Sequence, residues 1–323
     1  MKNILVMGGA GYIGSHTVKH LVENGYNVIV ADNLSMGHRE AVKTDKFELA
    51  DLMDKESLRV VFKKYPIDTV INFAGFIAVG ESVENPAKYY QNNVVGTLNL
   101  LDIMLENNVK KIVFSSTAAV FGNPLYVPID EKHITNPINP YGQTKLMIEK
   151  IFADYQRAYG LKYIAFRYFN ASGCAVDGSI GESHNPETHL IPLVLKAIKG
   201  ERANIKIFGD DYETPDGTCI RDYIHVEDLA EAHRLAVENI DKFTGVLNLG
   251  TSNGTSVKEI IDIAENITGK KCPVIIEGRR AGDPAILSAT SGKAKEILGW
   301  KPKLTMEDII KTAWNWELNK KYW

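Results

Sequence analysis

The chain has 323 residues, of which 45% are hydrophobic and 24% charged, and its formal net charge is −3. This balance indicates a globular protein of about two domains, and it excludes the strongly basic surface typical of proteins that bind nucleic acid. No apolar run approaches the ~20 residues of a membrane span, and the amino terminus lacks a secretory signal, so we expect a cytoplasmic protein without membrane association.

The cysteines and histidines point to neither a disulfide framework nor a metal site. Cys174, Cys219 and Cys272 are odd in number and widely spaced, which fits a reducing compartment. His16 and His20 have helical spacing, but no carboxylate or cysteine nearby completes a ligand set. We therefore predict no bound metal.

Strand and helix patterns alternate through the first half of the chain. The predicted strands, nearly continuous in Val, Ile, Phe and Leu, are 3–8, 26–32, 68–75, 110–116 and 161–170. The predicted helices between them are 12–24, 54–64, 85–107 and 141–159. Apolar strands that alternate with helices predict a doubly wound, Rossmann-like parallel α/β sheet.

This rhythm ends after residue 170, where a stretch rich in turn-forming residues follows. Less regular elements are predicted at 187–199, 204–208, 226–238, 246–250, 255–268, 291–298 and 306–319. We expect a first domain over residues 1–170 and a smaller mixed α/β lobe over 171–323. Segments within about 221–250 are candidates to return to the first domain.

The first predicted strand runs into the glycine motif GGAGYIG at residues 8–14. Glycine at Gly8, Gly11 and Gly14 suits a tight turn, a close approach to a pyrophosphate, and packing between helix and strand. Asp32 ends the next strand, 18 residues after Gly14, where a carboxylate can bind an adenosine ribose and would repel a 2′-phosphate. The pattern therefore predicts NAD as the bound dinucleotide.

A second group of polar residues follows the fourth predicted strand. Ser115 and Thr117 lie at its carboxyl end, and Tyr141 and Lys145 come four residues apart on the next helix. Taken alone, the tyrosine and lysine could be an ordinary surface pair on one helix face. Together with the glycine motif, however, the grouping resembles the extended short-chain dehydrogenase/reductase superfamily.

In that setting Tyr141 would act as a catalytic base with Lys145 as its activating cation. A phenol with a reference pKa of ~10 must drop by roughly 3 units, worth about 4 kcal/mol, to accept a proton near neutral pH. One positive charge ~5 Å away supplies about 3 kcal/mol at an effective dielectric of ~20. We therefore expect Lys145, with the cation of a bound oxidised nicotinamide, to lower the pKa of Tyr141.

The later motifs narrow the resemblance. Ala118 and Ala119 follow Thr117, where related dehydratases carry an Asp-Glu pair. The stretches RYFNASG, IFGDDYETPDGTCIRDYIHVEDLA and RRAGDPA, beginning at residues 167, 207 and 279, are very similar to those of the UDP-glucose/UDP-galactose 4-epimerases. The similarity extends over essentially the whole chain. It implies an NAD-binding domain, a UDP-sugar-binding lobe and epimerisation at sugar C4.

The resemblance also implies roles for individual residues. Tyr141, Lys145 and Thr117 would be catalytic. The residues that would bind NAD are Gly8, Gly11, Tyr12, Ile13, Gly14, Asp32, Asn33, Asp51, Leu52, Phe73, Ala74, Gly75, Asn93, Ser115, Tyr141, Lys145 and Tyr168. The residues that would bind the UDP-hexose are Thr117, Tyr141, Asn170, His189, Leu190, Lys206, Phe208, Arg221, Arg280, Asp283 and Leu287.

Within the substrate set, Arg221 and Arg280 would clamp the diphosphate, because a guanidinium fork matches phosphate oxygens. Asp283 would accept from the nucleotide ribose, Phe208 would lie against uracil, and Asn170 would contact the sugar-phosphate region. Taken singly, Phe208 could instead be a core residue, and Arg221 could pair with a neighbouring aspartate.

Two positions depart from the family pattern. Ile77 stands where some relatives have lysine, and Leu287 stands where relatives vary between tyrosine and small residues. A 4-epimerase acting on N-acetylated or uronic UDP-sugars therefore remains an alternative, as does a non-catalytic NAD-sensing protein. The resemblance further implies a homodimer formed through helices near 85–107 and 141–159.

Overall fold

A computed structural model describes residues 2–280 and 283–322. In chain order, the strands are β1 (Asn3–Met7), β2 (Asn27–Asp32), β3 (Phe47–Leu49), β4 (Thr69–Asn72), β5 (Lys111–Ser115), β6 (Lys162–Tyr168), β7 (Asn170–Ser172), β8 (Ile205–Phe208), β9 (Ile220–Arg221), β10 (Tyr223–His225), β11 (Gly245–Leu249), β12 (Thr255–Ser256), β13 (Val274–Glu277) and β14 (Ile286–Leu287).

The helices are α1 (Tyr12–Glu23), α2 (Lys55–Lys64), α3 (Val79–Glu84), α4 (Pro86–Tyr89), α5 (Gly96–Glu106), α6 (Pro140–Tyr159), α7 (Leu190–Lys199), α8 (Val226–Asn239), α9 (Val257–Thr268), α10 (Gly292–Leu298) and α11 (Met306–Leu318). A π-helical turn, Tyr90–Val95, joins α4 to α5. Two short 3-10 helices, Arg39–Ala41 and Ala118–Val120, complete the set.

Seven parallel strands form the central sheet in the order β11-β6-β5-β4-β1-β2-β3. Both faces are covered: α1, α8 and α10 pack on one side, and α2, α5 and α6 on the other. The predicted doubly wound, Rossmann-like sheet is confirmed. Because β1 pairs with β2 on one side and β4 on the other, the strand order reverses there, and this switch point is where such sheets bind ligands.

The structure differs from the predicted elements in two places near this switch point. The edge strand β3 was not predicted, since Phe47–Leu49 is short and carries a charged residue at its centre. The helix predicted over 85–107 is interrupted by the π-helical turn, a deviation that often marks functional sites.

The second half of the chain forms a smaller lobe. This lobe contains three small sheets, β12-β9-β14, β10-β7 and β8-β13. Its helices α7, α9 and α11 share one apolar core. Strand β11 pairs with β6 at the edge of the large sheet, so the later chain contributes to the first sheet. The domain division at residue 170 stays a prediction. Among the described residues, none of the helices combines the length and apolar character that crossing a membrane requires.

Candidate active site

The glycine turn between β1 and α1 requires residues without a side chain. Gly8 has a φ of +75°, and a Cβ placed on it would lie 2.6 Å from the backbone nitrogen of Ala74. A Cβ on Gly14 would lie 2.2 Å from the carbonyl oxygen of Gly8. The turn can therefore pass close to the end of β4 and pack against its own helix only with glycine at these positions.

Helix α1 begins at Tyr12 directly after this turn, with Gly11 as its N-cap. No side chain caps this end, and its first turn contains no acidic residue. The first N–H groups of a helix lack intrahelical acceptors and carry the positive end of its dipole. Ile13 and Gly14, both predicted to bind NAD, lie in this first turn. The start of α1 therefore fits a bound diphosphate.

Asp32, at the end of β2, is fixed by two backbone donors. Its Oδ2 accepts from the N–H of Ala10 at 2.9 Å, and its Oδ1 accepts from the N–H of Leu34 at 2.8 Å. Burial raises the pKa of Asp32, while these two hydrogen bonds act in the opposite direction. The carboxylate is therefore oriented by the glycine turn itself, next to the predicted diphosphate site.

A cleft opens at the carboxyl ends of β1, β2 and β4. Nine residues of the predicted cofactor set line it: Gly8, Gly11, Asp32, Asn33, Asp51, Leu52, Phe73, Ala74 and Gly75. The amide of Asn33 donates to Asp51 at 2.8 Å, which ties the β2 end to the loop after β3. The structure thus brings the residues predicted for the adenosine half together in one cleft.

The sequence analysis missed several residues that line the same cleft. They are Met7, Ala31, Ser35, Met36, Gly37 and Ala50. One signal was available: a Cβ on Gly37 would lie 2.8 Å from the backbone of Ala10, so this glycine marks a second close approach. Phe76 and Asn92 also line the cleft, and they fall in the stretches 72–82 and 89–97, which the resemblance implies would wrap the cofactor.

Asn93 holds the far wall of the cleft in place. Its Oδ1 accepts from the N–H of Phe76 at 2.9 Å, and its Nδ2 donates to the carbonyl of Phe76 at 3.0 Å and to Thr144 at 3.3 Å. A Cβ placed on Gly75 would lie 3.7 Å from Nζ of Lys145. The cleft wall is therefore adjacent to the predicted catalytic lysine.

Tyr141 and Lys145 lie on the first turns of α6. The helix begins with Pro140 at its first position, and the Asn139 side chain caps it by accepting from the N–H of Gly142 at 2.8 Å. Lys145 is 2% exposed. Its Nζ donates to the carbonyl of Ser115 at 2.8 Å and lies 6.0 Å from the centre of the Tyr141 ring. The pair faces the end of β5, with the lysine buried and the tyrosine half-buried.

The electrostatics of this pair differ from the expectation. Burial raises the pKa of Tyr141 above its ordinary value, while a hydrogen bond with Thr117 acts in the opposite direction. Burial also lowers the pKa of Lys145 to about 7, against the attraction of Glu149. In the protein without a dinucleotide, burial therefore outweighs the attraction between the two groups, and the lowering of the Tyr141 pKa by Lys145 together with a bound oxidised nicotinamide stays a prediction.

Below the pair lies a buried network that holds α6 against the sheet. Glu149, one turn after Lys145, accepts from Nε of Arg167 at 2.9 Å and from its Nη2 at 2.5 Å. The hydroxyl of Ser116 also donates to Glu149. All three side chains are buried. The carboxylate therefore anchors α6 to both β5 and β6, one helical turn from the lysine.

The predicted hydroxyl groups meet at the carboxyl end of β5. Ser115 and Tyr168 share a hydrogen bond between their hydroxyls, which links β5 to β6. Thr117 accepts from the N–H of Ala119 at 3.2 Å and caps the short helix that follows. Tyr12 departs from this grouping, since its hydroxyl donates to the carbonyl of Gly173 at 2.5 Å and points toward the second lobe.

The second lobe brings the predicted nucleotide-binding residues into two pairs. The guanidinium of Arg280 lies 3.8 Å from the centre of the Phe208 ring, a cation-π contact. Arg221 lies 3.6 Å from Asp283 and donates to the carbonyls of Ile220 and Pro284. Arg221 therefore pairs with another residue of the predicted site and not with Asp222 or Asp228. The two central residues of the RRAGDPA motif, 281 and 282, lie outside the described residues.

The remaining predicted substrate contacts are more dispersed. Lys206 is paired with Glu277 at 3.0 Å, and the amide of Asn170 donates to the carbonyl of Asp222 at 2.9 Å. Leu287 pairs in register with Arg221 and packs against the apolar cluster that contains Ala118 and Leu146. Leu287 thus lies beside Arg221 in the strand pairing, and it contacts the cluster that contains Ala118, the residue after Thr117.

His189 and Leu190 mark the start of α7. The His189 side chain, however, points into a group of two histidines and two glutamates over residues 182–189. Sequence reasoning missed this group, because it considered only His16 and His20 as candidate metal ligands. In the fold His16 is buried, and its Nδ1 bonds the carbonyl of Tyr12 at 2.8 Å.

Comparison with known proteins identifies the family of this chain. The profile of the NAD dependent epimerase/dehydratase family matches residues 4–250. A UDP-glucose 4-epimerase from Halalkalibacterium halodurans is 55% identical over 316 residues, covering 97% of this chain and 95% of the relative.

Solved structures of other family members have the same fold. The UDP-glucose 4-epimerase of Brucella ovis in complex with NAD superimposes with a TM-score of 0.95 at 51% identity, covering 97% of this chain and 98% of that one. The enzyme of Bifidobacterium longum, in complex with NAD+ and UDP, superimposes with a TM-score of 0.94 at 41% identity, covering 99% of both chains. The chain therefore belongs to the NAD dependent epimerase/dehydratase family, within which it groups with the UDP-glucose 4-epimerases.

Proposed function

We propose that this protein interconverts UDP-galactose and UDP-glucose by inverting sugar carbon 4 through a transient 4-keto sugar, with tightly bound NAD. The observation that carries the proposal is the Tyr141–Lys145 pair, with a buried lysine and a half-buried tyrosine, which faces the end of β5 beside the dinucleotide cleft. Alternative activities have less support, since the relatives compared above are UDP-glucose 4-epimerases.

Bound NAD supplies a hydride acceptor that can return the hydride to the opposite face of the sugar. Tyr141, hydrogen-bonded with Thr117, takes the proton of the 4-hydroxyl and later gives it back. The carbonyl of Ser115 fixes the position of the Lys145 ammonium. Lys145 is buried and Tyr141 is half-buried, which restricts the access of water to the lysine more than to the phenol.

Epimerisation requires a firm hold on UDP and a loose hold on the sugar, because the ketose must turn over between the two hydride transfers. The proposed UDP contacts supply binding energy remote from the reacting carbon. These contacts would come from the two pairs described above, Arg280 with Phe208 and Arg221 with Asp283. Leu287 would contribute an apolar wall to the sugar site.

We also propose the finer assignments that the resemblance implies. The residues of the cofactor and substrate sets would act as stated above, and the chain would be divided near residue 170. The protein would be a cytoplasmic homodimer. Half-buried apolar side chains on α5 and α6, Leu98, Met147 and Ile151 among them, support helix contacts between two copies, and three free cysteines support a reducing compartment.

The direct test is to incubate the purified protein, without added NAD, with UDP-galactose, UDP-N-acetylgalactosamine and UDP-galacturonate in separate reactions. We expect UDP-glucose to form from UDP-galactose as the dominant conversion. Tyr141→Phe provides the matched inactive control, because it preserves the ring and removes only the hydroxyl. Absence of UDP-glucose from a sample that contains stoichiometric NAD would refute the proposal.

A further inference from the structure

The segment that joins the two lobes carries four side chains whose donor atoms converge. They are Glu182, His184, Glu187 and His189, which we call the 182–189 cluster. One ligand atom from each lies within 4.8 Å of those of the other three. Two imidazoles and two carboxylates form a donor set suited to Zn²⁺. None of the four residues is assigned a part in the proton transfer proposed above, and His189, which belongs to the proposed substrate set, turns its side chain into the cluster.

The spacing of the donor atoms matches a single small ion. Nδ1 of His189 lies 2.8 Å from Oε1 of Glu187 and 2.9 Å from Oε1 of Glu182. Nδ1 of His184 lies 3.2 Å from Glu182 and 3.6 Å from Glu187. Tetrahedral zinc with bonds of about 2.0–2.1 Å places its ligand atoms about 3.3 Å apart, which falls within the range of these four contacts, while the whole set of ligand atoms spreads to 4.8 Å.

Two of these atoms lack the hydrogen bonds that a simple ion-pair cluster would supply. Oε1 of Glu182 and Nδ1 of His184 are buried and have no hydrogen-bond partner among the described residues, although they are only 3.2 Å apart. The contact is close, but its direction is not that of a hydrogen bond. The Glu182 side chain is 5% exposed, so its charge must be balanced either by protonation of His184 and His189, which lie 3.2 and 2.9 Å from Oε1, or by a bound cation.

The backbone around the cluster is held by contacts from outside it. Trp316 donates to the carbonyl of Glu182 at 2.8 Å, and Gly181 donates to the hydroxyl of Tyr322 at 3.0 Å. His38 bonds the carbonyl of Ser183 at 3.1 Å. The donor atoms are therefore positioned before any ion arrives. His189 is 44% exposed, which leaves a route from solvent.

From this geometry we propose that the 182–189 cluster binds one divalent transition-metal ion, with Zn²⁺ as the preferred ion. With neutral imidazoles the four side chains carry a charge of −2, which a divalent ion neutralises in a largely buried site. The His184 ring packs edge-on against Tyr12 of the dinucleotide-binding helix, with ring centres 6.0 Å apart, and His189 caps α7. The ion would therefore brace the connection between the glycine turn and the second lobe.

The test measures zinc on protein stripped with a chelator and then dialysed free of it. Zinc is titrated against a chromophoric competitor, and thermal unfolding is followed with and without zinc chloride. We expect one equivalent to bind the wild type and raise its Tm. His184→Gln should weaken zinc binding at least tenfold and abolish the zinc-dependent rise in Tm.

Two further variants separate a metal site from a purely structural cluster. His184→Cys should keep zinc binding, since a thiolate is a good zinc ligand but a poor substitute for a protonated imidazole in an ion pair. The His184→Cys variant also tests the proposed zinc site if His184→Gln does not fold. His20→Gln is the control, because the His20 imidazole pairs with Glu231, at 2.8 Å, outside the 182–189 cluster, and this variant should bind zinc as the wild type does.

Cobalt gives an independent reading of the geometry. Co²⁺ bound to wild type should show the intense visible absorption of a tetrahedral site, and His184→Gln should lose it. The proposal is overturned if the stripped wild type binds no zinc, or if wild type and His184→Gln bind it equally. Retained zinc binding in His184→Gln together with loss in His184→Cys would also overturn it.

Discussion

Replacing Lys145 by methionine should reduce turnover and stabilise the fold at the same time. The substitution keeps the length of the side chain but removes its charge and its hydrogen bond to the carbonyl of Ser115. At the 6.0 Å that separates Nζ from the centre of the Tyr141 ring, a unit charge is worth about 2.8 kcal/mol at an effective dielectric of ~20. This corresponds to about two pKa units of the phenol, or a ~100-fold loss of turnover at neutral pH.

The pH profile should shift as well. In the wild type the coupled pair loses its first proton near pH 7, because the pKa of Lys145 is lowered to about 7, and the form with one proton removed includes the ammonium–phenolate pair. Turnover should therefore rise through about pH 7. In Lys145→Met the rise must follow the phenol alone, whose pKa burial raises above its ordinary value.

The stability effect has the opposite sign. Lowering the lysine pKa from 10.5 to about 7 costs roughly 5 kcal/mol of folding free energy at or below pH 7, at about 1.4 kcal/mol per unit. Loss of the hydrogen bond offsets about 1–3 kcal/mol of that, so a net gain in stability of about 2–4 kcal/mol is expected. Because the unfolded chain binds the extra proton between about pH 7 and 10.5, the gain should shrink as pH rises through that window.

Both quantities are measured on the same preparations, turnover by coupled conversion of UDP-galactose across pH and unfolding by urea titration. Lys150→Met is the matched control, since Lys150 lies on the same helix but is exposed, and it should change neither. Turnover within threefold of wild type in Lys145→Met would refute the electrostatic argument. If Lys145→Met had a lower free energy of unfolding than the wild type, burial of the lysine charge would not be destabilising, contrary to this argument.

Three other substitutions or measurements test the site. Tyr141→Phe should lower turnover by 10²–10⁴-fold, the usual worth of a general base, with NAD content unchanged; retention of a tenth of the activity would contradict its role. The nucleotide released on denaturation should be NAD and not NADP, because Asp32 lies beside the glycine turn, and mainly NADP in the extract would disprove that reasoning. Arg167→Met should destabilise the fold by about 3–5 kcal/mol by leaving Glu149 buried and unpaired, and Glu149→Leu in the same chain should recover much of the loss in urea unfolding.

The fold was predictable from sequence because its strongest signals are local. Buried parallel strands such as Ile4–Val6 are continuous apolar runs, and the glycine turn and Asp32 have fixed spacing. The π-helical turn was not predictable, since a single extra residue in a helix leaves the hydrophobic period nearly unchanged. Strand β3 was missed because an edge strand of three residues carries little apolar pattern.

The chemistry was less predictable than the geometry. Spacing placed Tyr141 and Lys145 on one helix face. Burial, which raises the pKa of Tyr141 and lowers the pKa of Lys145, depends on packing by elements far away in sequence. The 182–189 cluster was missed for a related reason. Its residues lie in a loop without periodicity, and only contacts such as that from Trp316 bring the side chains together.

Leu287 provides the sharpest test of substrate choice, because of what lies on either side of it. Its backbone is in register with Arg221, a proposed diphosphate contact, and its side chain packs in the cluster containing Ala118 and Leu146, the chain neighbours of Thr117 and Lys145. On the proposed function, a sugar that joins the diphosphate to the catalytic groups would lie near this leucine. One side chain in an apolar wall discriminates by about 1–3 kcal/mol, or about 10–200-fold. We expect wild type to prefer UDP-galactose over UDP-N-acetylgalactosamine within that range, and Leu287→Ser to raise kcat/KM for the N-acetylated sugar while changing that for UDP-galactose much less. Leu318→Ser, at an exposed leucine of α11, should change neither value, and equal use of both sugars by the wild type would show that Leu287 does not select between them.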